Sequence, residues 1–240
     1  MGLGGLLLGL VFSCNAKVEA HPPSVTIESA SVCNSKPKGL KDSQKSSVVI
    51  SFLDASGEEV GKASGNYFKY RRNTFILTAA HVADVPGEVE LVVKERWGTG
   101  KSKVRAVYVD SDNDIGILVL ENKLETVKPL KWKSKNIWDV EVGDELYYTG
   151  NPMDMERISL RGFVSKVYAD EIIMQSFAYM GASGSAVFDK RGKVIGVISA
   201  IKFDVPGGMF PQLLPTVVLV GPLGALSNNE LHDLLEKSSE

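Results

Sequence analysis

The sequence predicts an all-β fold, because short apolar runs recur between turn residues from Ser46 onward. These runs are rich in β-branched and aromatic residues, as in SVVISFL, NTFILTAAHV, DIGILVL and KVIGVISAI. Strands do not alternate with helical patterns, which disfavours a parallel, doubly wound sheet. The pattern therefore indicates a β-sandwich or a pair of β-barrels.

Composition supports a globular protein with a sizeable core. The chain has 240 residues, of which 44% are hydrophobic and 23% charged. The formal net charge is −2 with both signs interspersed, so a nucleic-acid partner is not expected. The three histidines (His21, His81 and His232) lie far apart, and we expect neither a metal nor a cofactor.

The first fourteen residues form an apolar run that is too short to span a bilayer but has the length of a signal-peptide core. No positive charge precedes it, so a misassigned start, or an apolar tail of a cytoplasmic or virus-encoded protein, stays open. Val11–Cys14 resembles a bacterial lipoprotein box, which would attach the protein to a membrane through a lipid on Cys14. A disulfide from Cys14 to Cys33 is the alternative. We expect an exported or cell-envelope protein, either periplasmic or a lipoprotein.

Three segments follow from these patterns: a signal at residues 1–14, a linker or arm at 15–44 that is rich in polar residues and proline, and a folded domain at 45–240. One helix is predicted at the end of the chain. Its signals are an N-terminal cap, an acidic first turn and one apolar face: Ser227, Asn228, Asn229, Glu230, Leu231, Leu234 and Leu235.

Three polar residues stand out against this β-rich background. His81 follows the strand-like NTFIL, Asp114 opens the apolar run IGILVL, and Ser183 lies in the small-residue turn GASGS. Asp110 and Asp112 compete with Asp114. Ser185 is a second hydroxyl, but its place at the start of a strand makes it a poor nucleophile.

These residue types suit nucleophilic catalysis. A serine hydroxyl is a weak nucleophile, and a neutral imidazole, with a reference pKa of about 6.5, can take its proton during attack. A carboxylate on the other ring nitrogen fixes the tautomer and stabilises the imidazolium. Small residues before the serine let backbone N–H groups converge on a developing oxyanion. Each residue alone has an ordinary structural explanation; together, in the order His, Asp, Ser, they indicate a triad.

The chain resembles the trypsin-like serine proteases of the chymotrypsin fold, and among them the HtrA-type branch. Over about residues 45–226, five stretches carry the resemblance: SGNYF, FILTAAHV, DNDIGILVL, TGNPMDMERISLRGFVSKV and GASGSAVFDKRGKVIGVISA. The resemblance implies two antiparallel β-barrels with the site between them, followed here by the C-terminal helix.

Carried over by position, the resemblance makes Ser183 the nucleophile and His81 the general base and acid, with Asp114 orienting His81. The backbone N–H groups of Gly181 and Ser183 would form the oxyanion hole. The implied activity is a serine endopeptidase acting on proteins or peptides, without a cofactor.

The resemblance also implies a substrate pocket with Phe177 near its base and Ser199, Ala200 and Ile201 in its walls. No acid stands at Phe177, which disfavours cleavage after Lys or Arg. A bulky Ile201 would narrow the pocket, so we expect cleavage after small or medium apolar residues such as Ala or Val.

Departures from the family pattern leave alternatives open. Ala182 replaces the usual Asn or Asp, Ser185 and Ala186 replace Gly and Pro, and Gly116 replaces a common Ala, which we expect to be benign. A side chain at Ser185 either crowds the substrate strand or fits a small turn.

These departures leave open a catalytically latent, protease-like module that binds peptides or assists assembly. A further alternative is a protease that cuts its own precursor or one partner, which a linker joined to a single catalytic domain permits. We expect no PDZ domain, because only about fourteen residues follow Leu226.

Overall fold

The structure is a computed structural model that describes residues 35–238 except 86, 95–99, 205–211 and 224–225. The signal expected over residues 1–14, most of the arm expected over 15–44, and both Cys14 and Cys33 lie outside the described residues. Lys36–Glu240 form one structural unit.

Six strands close the first barrel, in the order β1-β4-β5-β6-β3-β2, with β2 pairing back onto β1. All of these pairings are antiparallel. The strands are β1 (Ser47–Leu53), β2 (Glu59–Tyr70), β3 (Asn73–Thr78), β4 (Glu90–Lys94), β5 (Lys101–Asp110) and β6 (Ile115–Leu120). A short strand, β7 (Leu130–Lys131), pairs in parallel with the end of β2.

Six further strands close the second barrel, in the order β10-β13-β12-β11-β8-β9. They are β8 (Glu145–Gly150), β9 (Ile158–Val167), β10 (Ile172–Gln175), β11 (Ala186–Asp189), β12 (Val194–Asp204) and β13 (Gln212–Pro222). The prediction of two antiparallel barrels is confirmed, and most strands coincide with the apolar runs of the sequence.

The two barrels share part of one core. Phe188 on β11 of the second barrel packs against Phe68 on β2, with ring centroids 6.1 Å apart. Trp132 lies edge-on to Phe68 and to Phe75, at 5.1 and 5.4 Å. Aromatic pairs of this kind add to the free energy gained by burial. They hold the barrels in a fixed relation, which a site built from both barrels requires.

The predicted C-terminal helix is confirmed as α3 (Asn228–Lys237). Ser227 accepts a hydrogen bond from the Glu230 N–H, and the Glu230 carboxylate accepts one from the Ser227 N–H, forming a capping box. Leu231 and Leu235 are buried on the first barrel, and Leu234 is partly buried.

Two helices had no signal in the sequence: α1 (Lys38–Ser46) and α2 (Ala80–Ala83). Part of the expected arm is therefore ordered, because α1 packs on β8, β9 and β11 of the second barrel. Gly39 lies so close to this surface that a Cβ on it would be 2.0 Å from the Asp189 carbonyl oxygen. Among the described residues, no helix has both the length and the apolarity needed to cross a membrane.

Candidate active site

His81 is presented by the short helix α2, which begins where the buried strand β3 ends. Ala79 precedes the helix in an extended conformation (φ −83°, ψ 153°) and turns the chain at this point. The His81 side chain is 51% exposed. The backbone of His81 is thus held by the end of a buried strand, whereas its imidazole ring is open to solvent.

Asp114 occupies the last position of the turn between β5 and β6, with a φ of 53°. The structure distinguishes Asp114 from the two aspartates that compete with it in the sequence, Asp110 and Asp112. Asp110 accepts the N–H groups of Asp112 and Asn113, both at 3.1 Å, and so closes the turn itself. The Asp114 carboxylate takes no part in these bonds and faces His81.

His81 and Asp114 form a close pair. The distances from His81 Nδ1 to Asp114 Oδ1 and Oδ2 are 3.0 and 2.9 Å, and the His81 backbone N–H donates to Oδ1 at 3.0 Å. Burial of Asp114 raises its pKa, but hydrogen bonds from the His81 ring, the Ser199 hydroxyl and the His81 backbone outweigh it and lower the pKa. The carboxylate therefore stays charged near neutral pH and can orient and stabilise an imidazolium.

Ser199 connects the two barrels at this point. Its hydroxyl donates to Asp114 Oδ2 at 2.6 Å, and its carbonyl accepts the Ser183 hydroxyl at 3.4 Å. Ser199 thus contacts both Asp114 and Ser183, which lie 69 positions apart in the chain numbering. The sequence indicated Ser199 only as a pocket wall, since nothing in a strand pattern identifies a long-range contact to an acid.

Ser183 lies in the turn that precedes β11, on the second barrel. Its hydroxyl makes no hydrogen bond to His81 in this structure, and its bond to the Ser199 carbonyl is long. Hydrogen bonds of catalytic groups are often long or misaligned before substrate binds.

Two backbone amides of this turn have no acceptor among the described residues: those of Gly181 and Ser183. The other amides donate to carbonyl oxygens at 2.8–3.1 Å: those of Ala182, Gly184 and Ser185. The two open amides are the ones that the sequence suggested for an oxyanion hole. Gly181 has a φ of 93°, which favours glycine.

The peptide that carries the Gly181 amide is held from its other side. The Met180 carbonyl, which belongs to the same peptide, accepts the Met153 N–H at 2.9 Å. Since the C=O and N–H of a trans peptide point in opposite directions, this bond turns the Gly181 N–H away from Met153. Met153 itself has a φ of 49° in the turn formed by Pro152–Asp154.

A cavity of about 270 Å³ adjoins Ser183. Its described lining carries no charged side chain: Ala178, Tyr179, Met180, Ser183, Ile198, Ser199, Ala200 and Ile201. Three of the four predicted pocket residues line it; Phe177 does not, and its neighbour Ala178 takes that place. The Phe177 carbonyl instead accepts the hydroxyl of Tyr148, whose pKa is raised by burial.

The structure also shows the surroundings of two residues that depart from the family pattern, Ser185 and Gly116. Ser185 is fully buried and donates to the Ala182 carbonyl at 2.7 Å, so its side chain does not face a substrate strand. A Cβ at Gly116 would lie 2.7 Å from both the Ala79 oxygen and the Ala83 Cβ, so this chain packs closely against a residue that has no side chain. The expectation that glycine is benign at this position stays a prediction.

No group of three or more metal-ligating side chains occurs in the described part of the chain. The groups that the structure does bring together are an acid, an imidazole, a hydroxyl and two open amides, which are the parts that acyl transfer requires.

The sequence model of the trypsin-like peptidase domain family matches residues 63–197, more than half of the 240 residues. The chain belongs to this family. A curated relative of this trypsin-like domain is named "Putative serine protease HhoA", from Synechocystis sp. (strain ATCC 27184 / PCC 6803 / Kazusa). The two are 30% identical over an alignment of 162 residues, and the match covers 61% of this chain and 39% of the relative.

Solved structures of HtrA-type proteases have the same fold. The HtrA-type protease AlgW with tripeptide superposes with a TM-score of 0.64 at 19% identity, over 85% of this chain and 64% of that one. The serine endoprotease from Yersinia pestis gives 0.62 at 18% identity, over 85% and 68%. The trypsin-like chain thus spans 39% of the HhoA sequence and 64% of the AlgW chain.

Proposed function

We propose that this trypsin-like chain is a serine endopeptidase that forms an acyl-enzyme on Ser183. The observation that carries the proposal is the turn at 181–183, where the amides of Gly181 and of Ser183 itself have no acceptor among the described residues. Ser199 joins this turn to the His81–Asp114 pair of the other barrel. Membership of the trypsin-like family supports the same chemistry.

In the proposed reaction, the Ser183 oxygen attacks the scissile carbonyl carbon while His81 Nε2 takes the hydroxyl proton. The tetrahedral intermediate collapses as the imidazolium gives that proton to the leaving amine. Water then attacks the acyl-enzyme, His81 takes its proton, and the carboxylate product leaves with Ser183 protonated again. Asp114 holds the Nδ1–H throughout and stays ionised.

The amides of Gly181 and Ser183 would stabilise the oxyanion of both tetrahedral intermediates. Donors that are already oriented need no reorganisation when the charge develops, and one such donor typically contributes about 10²–10³-fold in kcat. The bond from Met153 to the Met180 carbonyl supports this role, because it turns the Gly181 amide away from Met153.

For attack, the Ser183 hydroxyl has to give up its hydrogen bond to the Ser199 carbonyl and donate to His81 instead. The present bond is 3.4 Å long, so little interaction energy is lost when the hydroxyl rotates. Rotation about one side-chain bond connects staggered rotamers of similar energy. Substrate binding would favour the rotamer that faces the imidazole.

The cavity beside Ser183 supports a preference for small or medium apolar residues before the cleaved bond. Its described lining combines two alanines with Ile198 and Ile201 and carries no acid that would pair with Lys or Arg. We propose cleavage after residues such as Ala or Val.

The proposed domain begins with α1, ahead of residue 45, because this helix packs on the second barrel. We also propose export to the cell envelope, which the apolar run at residues 1–14 supports. A lipid on Cys14 and a disulfide from Cys14 to Cys33 remain the two alternatives for its cysteines.

One observation favours a second candidate, a latent module that binds peptides without cleaving them. The Ser183 hydroxyl bonds to a carbonyl and not to the imidazole. If the hydroxyl stays there when a peptide binds, the site holds peptides but does not acylate.

A fluorophosphonate probe decides between the two, since it phosphonylates only an activated serine. We expect labelling of the wild type, lost in both Ser183→Ala and His81→Ala. The same wild-type protein, given peptides that differ before the cleaved bond, should prefer Ala and Val over Arg and Lys. A folded wild type without labelling would establish the latent module, and a strong preference for Arg or Lys would contradict the pocket assignment.

A further inference from the structure

Ser64 lies on β2 of the first barrel, is fully buried, and contacts both ends of the turn at 181–183. Its backbone N–H donates to the Ser183 carbonyl at 2.9 Å. Its hydroxyl donates to the Gly181 carbonyl at 2.7 Å. Its own carbonyl accepts the Thr78 hydroxyl at 2.8 Å, which fixes it next to β3.

The direction of the Ser64 hydroxyl bond follows from its other partners. The oxygen accepts two donors of Asn151, the backbone N–H at 3.0 Å and Nδ2 at 3.1 Å. A hydroxyl has two acceptor sites and one proton. Because both acceptor sites are filled, the hydroxyl donates its proton to the Gly181 carbonyl, and all its hydrogen-bonding sites are occupied.

Asn151 is itself held in one orientation. Its Oδ1 accepts the Arg157 N–H at 2.9 Å, which identifies the other atom as Nδ2, and Nδ2 also donates to the Val48 carbonyl at 3.2 Å. The side chain is buried, and a buried amide with all its bonds made resists rotation. Asn151 therefore fixes the Ser64 hydroxyl.

The turn has little room to adopt another conformation on this side. A Cβ at Gly181 would lie 2.4 Å from the Asn151 carbonyl oxygen. A Cβ at Gly150, the residue before Asn151, would lie 2.3 Å from the Ser185 hydroxyl. The Gly181 backbone thus packs directly against the Asn151 backbone, and the Gly150 backbone packs against the Ser185 side chain. Hydrogen bonds between Ser64 and both segments set their spacing.

We infer that Ser64 and Asn151 are positioning residues for the oxyanion hole. Ser64, held by Asn151, fixes the carbonyls of Gly181 and Ser183, which belong to the peptides that carry the Ala182 and Gly184 amides. These two peptides lie on either side of the one that carries the open Ser183 amide, and the first also adjoins the one that carries the open Gly181 amide, so together they restrict the rotation of both. The pair touches neither the substrate nor the reacting atoms. The inference rests on the proposed function, since it assigns how the amides of that same site are aimed.

The test compares Ser64→Ala with the wild type and with Ser47→Ala. Ser47 is also fully buried, and its hydroxyl has no hydrogen-bond partner among the described residues, so its removal deletes the same atom without touching the turn. We expect Ser64→Ala to lower kcat by about 10- to 100-fold, a part of what an oxyanion donor supplies, with KM changed less than about 3-fold.

A second readout excludes a merely structural effect. A peptide boronic acid forms a tetrahedral, anionic adduct with an activated serine, whereas the matched peptide acid binds without one. In Ser64→Ala, affinity for the boronic acid should fall by about the same factor as kcat, and affinity for the peptide acid should not change. Asn151→Asp, which replaces the Nδ2 donor by an acceptor of the same shape, should reproduce the loss.

The outcomes separate the two proposals. An unlabelled, folded wild type in the fluorophosphonate experiment would overturn the proposed function and this inference with it. A labelled wild type with Ser64→Ala as active as Ser47→Ala would overturn the inference alone. If Ser64→Ala does not fold, Asn151→Asp decides, and wild-type kcat and boronic acid affinity in that variant would overturn the inference.

Discussion

Asp114 interacts with His81 at both its ring and its backbone, and a third donor, Ser199, fills the remaining side of the carboxylate. A carboxylate with three donors has one preferred orientation, and so does the imidazole bonded to it. The acid is therefore a charged, rigid group within the site, consistent with its lowered pKa.

Asp114→Asn keeps this shape but changes the chemistry. The amide no longer favours the tautomer with its proton on Nδ1, so Nε2 ceases to be a base, and we expect kcat to fall about 10³–10⁴-fold with KM little changed. Asp112→Asn is the matched control, because Asp112 is exposed in the same turn and its side chain does not face His81. Steady-state hydrolysis of one peptide checks both, and a kcat for Asp114→Asn within tenfold of the wild type would remove Asp114 from the triad.

At single residues, the sequence indicated the three side chains of the proposed triad but not the residues that hold them. His81, Asp114 and Ser183 stand in local motifs whose residue types indicate the use proposed for them. Ser64 and Asn151 also lie in stretches that carry the family resemblance, but their residue types do not indicate their use, since the bond from Ser64 to Gly181 spans 117 positions and only the folded chain brings the partners together. The sequence indicated Phe177 as a pocket residue, whereas its neighbour Ala178 lines the cavity. Which of two neighbours lines a pocket depends on the backbone direction at one residue, and the sequence pattern does not give that direction.

At the level of elements, strands were predictable and the first two helices were not. The strands carry β-branched runs bounded by turns, so their pattern is local. In contrast, α1 buries mostly polar residues, namely Asp42, Ser43 and Ser46 with Gly39, and therefore has no apolar stripe to detect. Ser43 and Ser46 find their partners in β8 and β2, which lie far along the chain.

The contact between α2 and β6 gives a prediction at this scale. Gly116→Ala places a methyl group 2.7 Å from Ala79 and Ala83, so α2, which carries His81, must shift. We expect a loss of about 1–3 kcal/mol in the free energy of unfolding, as for other overpacked cores. Gly87→Ala is the control, since no atom of the described residues lies within 4 Å of its added Cβ. Urea unfolding measures both, and equal stability of the two variants would show that α2 yields without strain.

At the scale of the whole molecule, the candidate site depends on two closed barrels that are held in a fixed relative position. The first barrel contributes His81 and Asp114, the second contributes Ser183, and the bonds of Ser64 and Ser199 cross between them. Two barrels and the order of their motifs were predictable through the family resemblance. The shared aromatic core was not, because Phe188 and Trp132 come from separate parts of the chain.

Acid should weaken this assembly through carboxylates that are paired in the folded state. Burial raises the pKa of Glu59, but hydrogen bonds from Lys94 and Lys62 outweigh it and lower the pKa from 4.5 to about 2. Because the folded pKa lies below the unfolded one, the stabilisation is complete above about pH 4.5 and is lost as the pH falls toward 2. The Lys94 bond joins β4 to β2, the two strands that flank β1, whereas Lys62 lies on β2 with Glu59.

Glu59→Gln removes this contribution. At pH 7 we expect the variant to be less stable than the wild type by about 1 kcal/mol, the upper range for partly exposed ion pairs. The difference should shrink steadily below pH 4.5, because the Glu59 carboxyl of the unfolded wild type then takes up a proton, while the folded state keeps it charged until the pH nears 2. Urea unfolding at pH 7, 4.5 and 3 measures it, with Glu58→Gln, an exposed neighbour, as the control. A difference that stays constant across this range would mean that packing of the Glu59 side chain, and not its charge, holds β2 to β4.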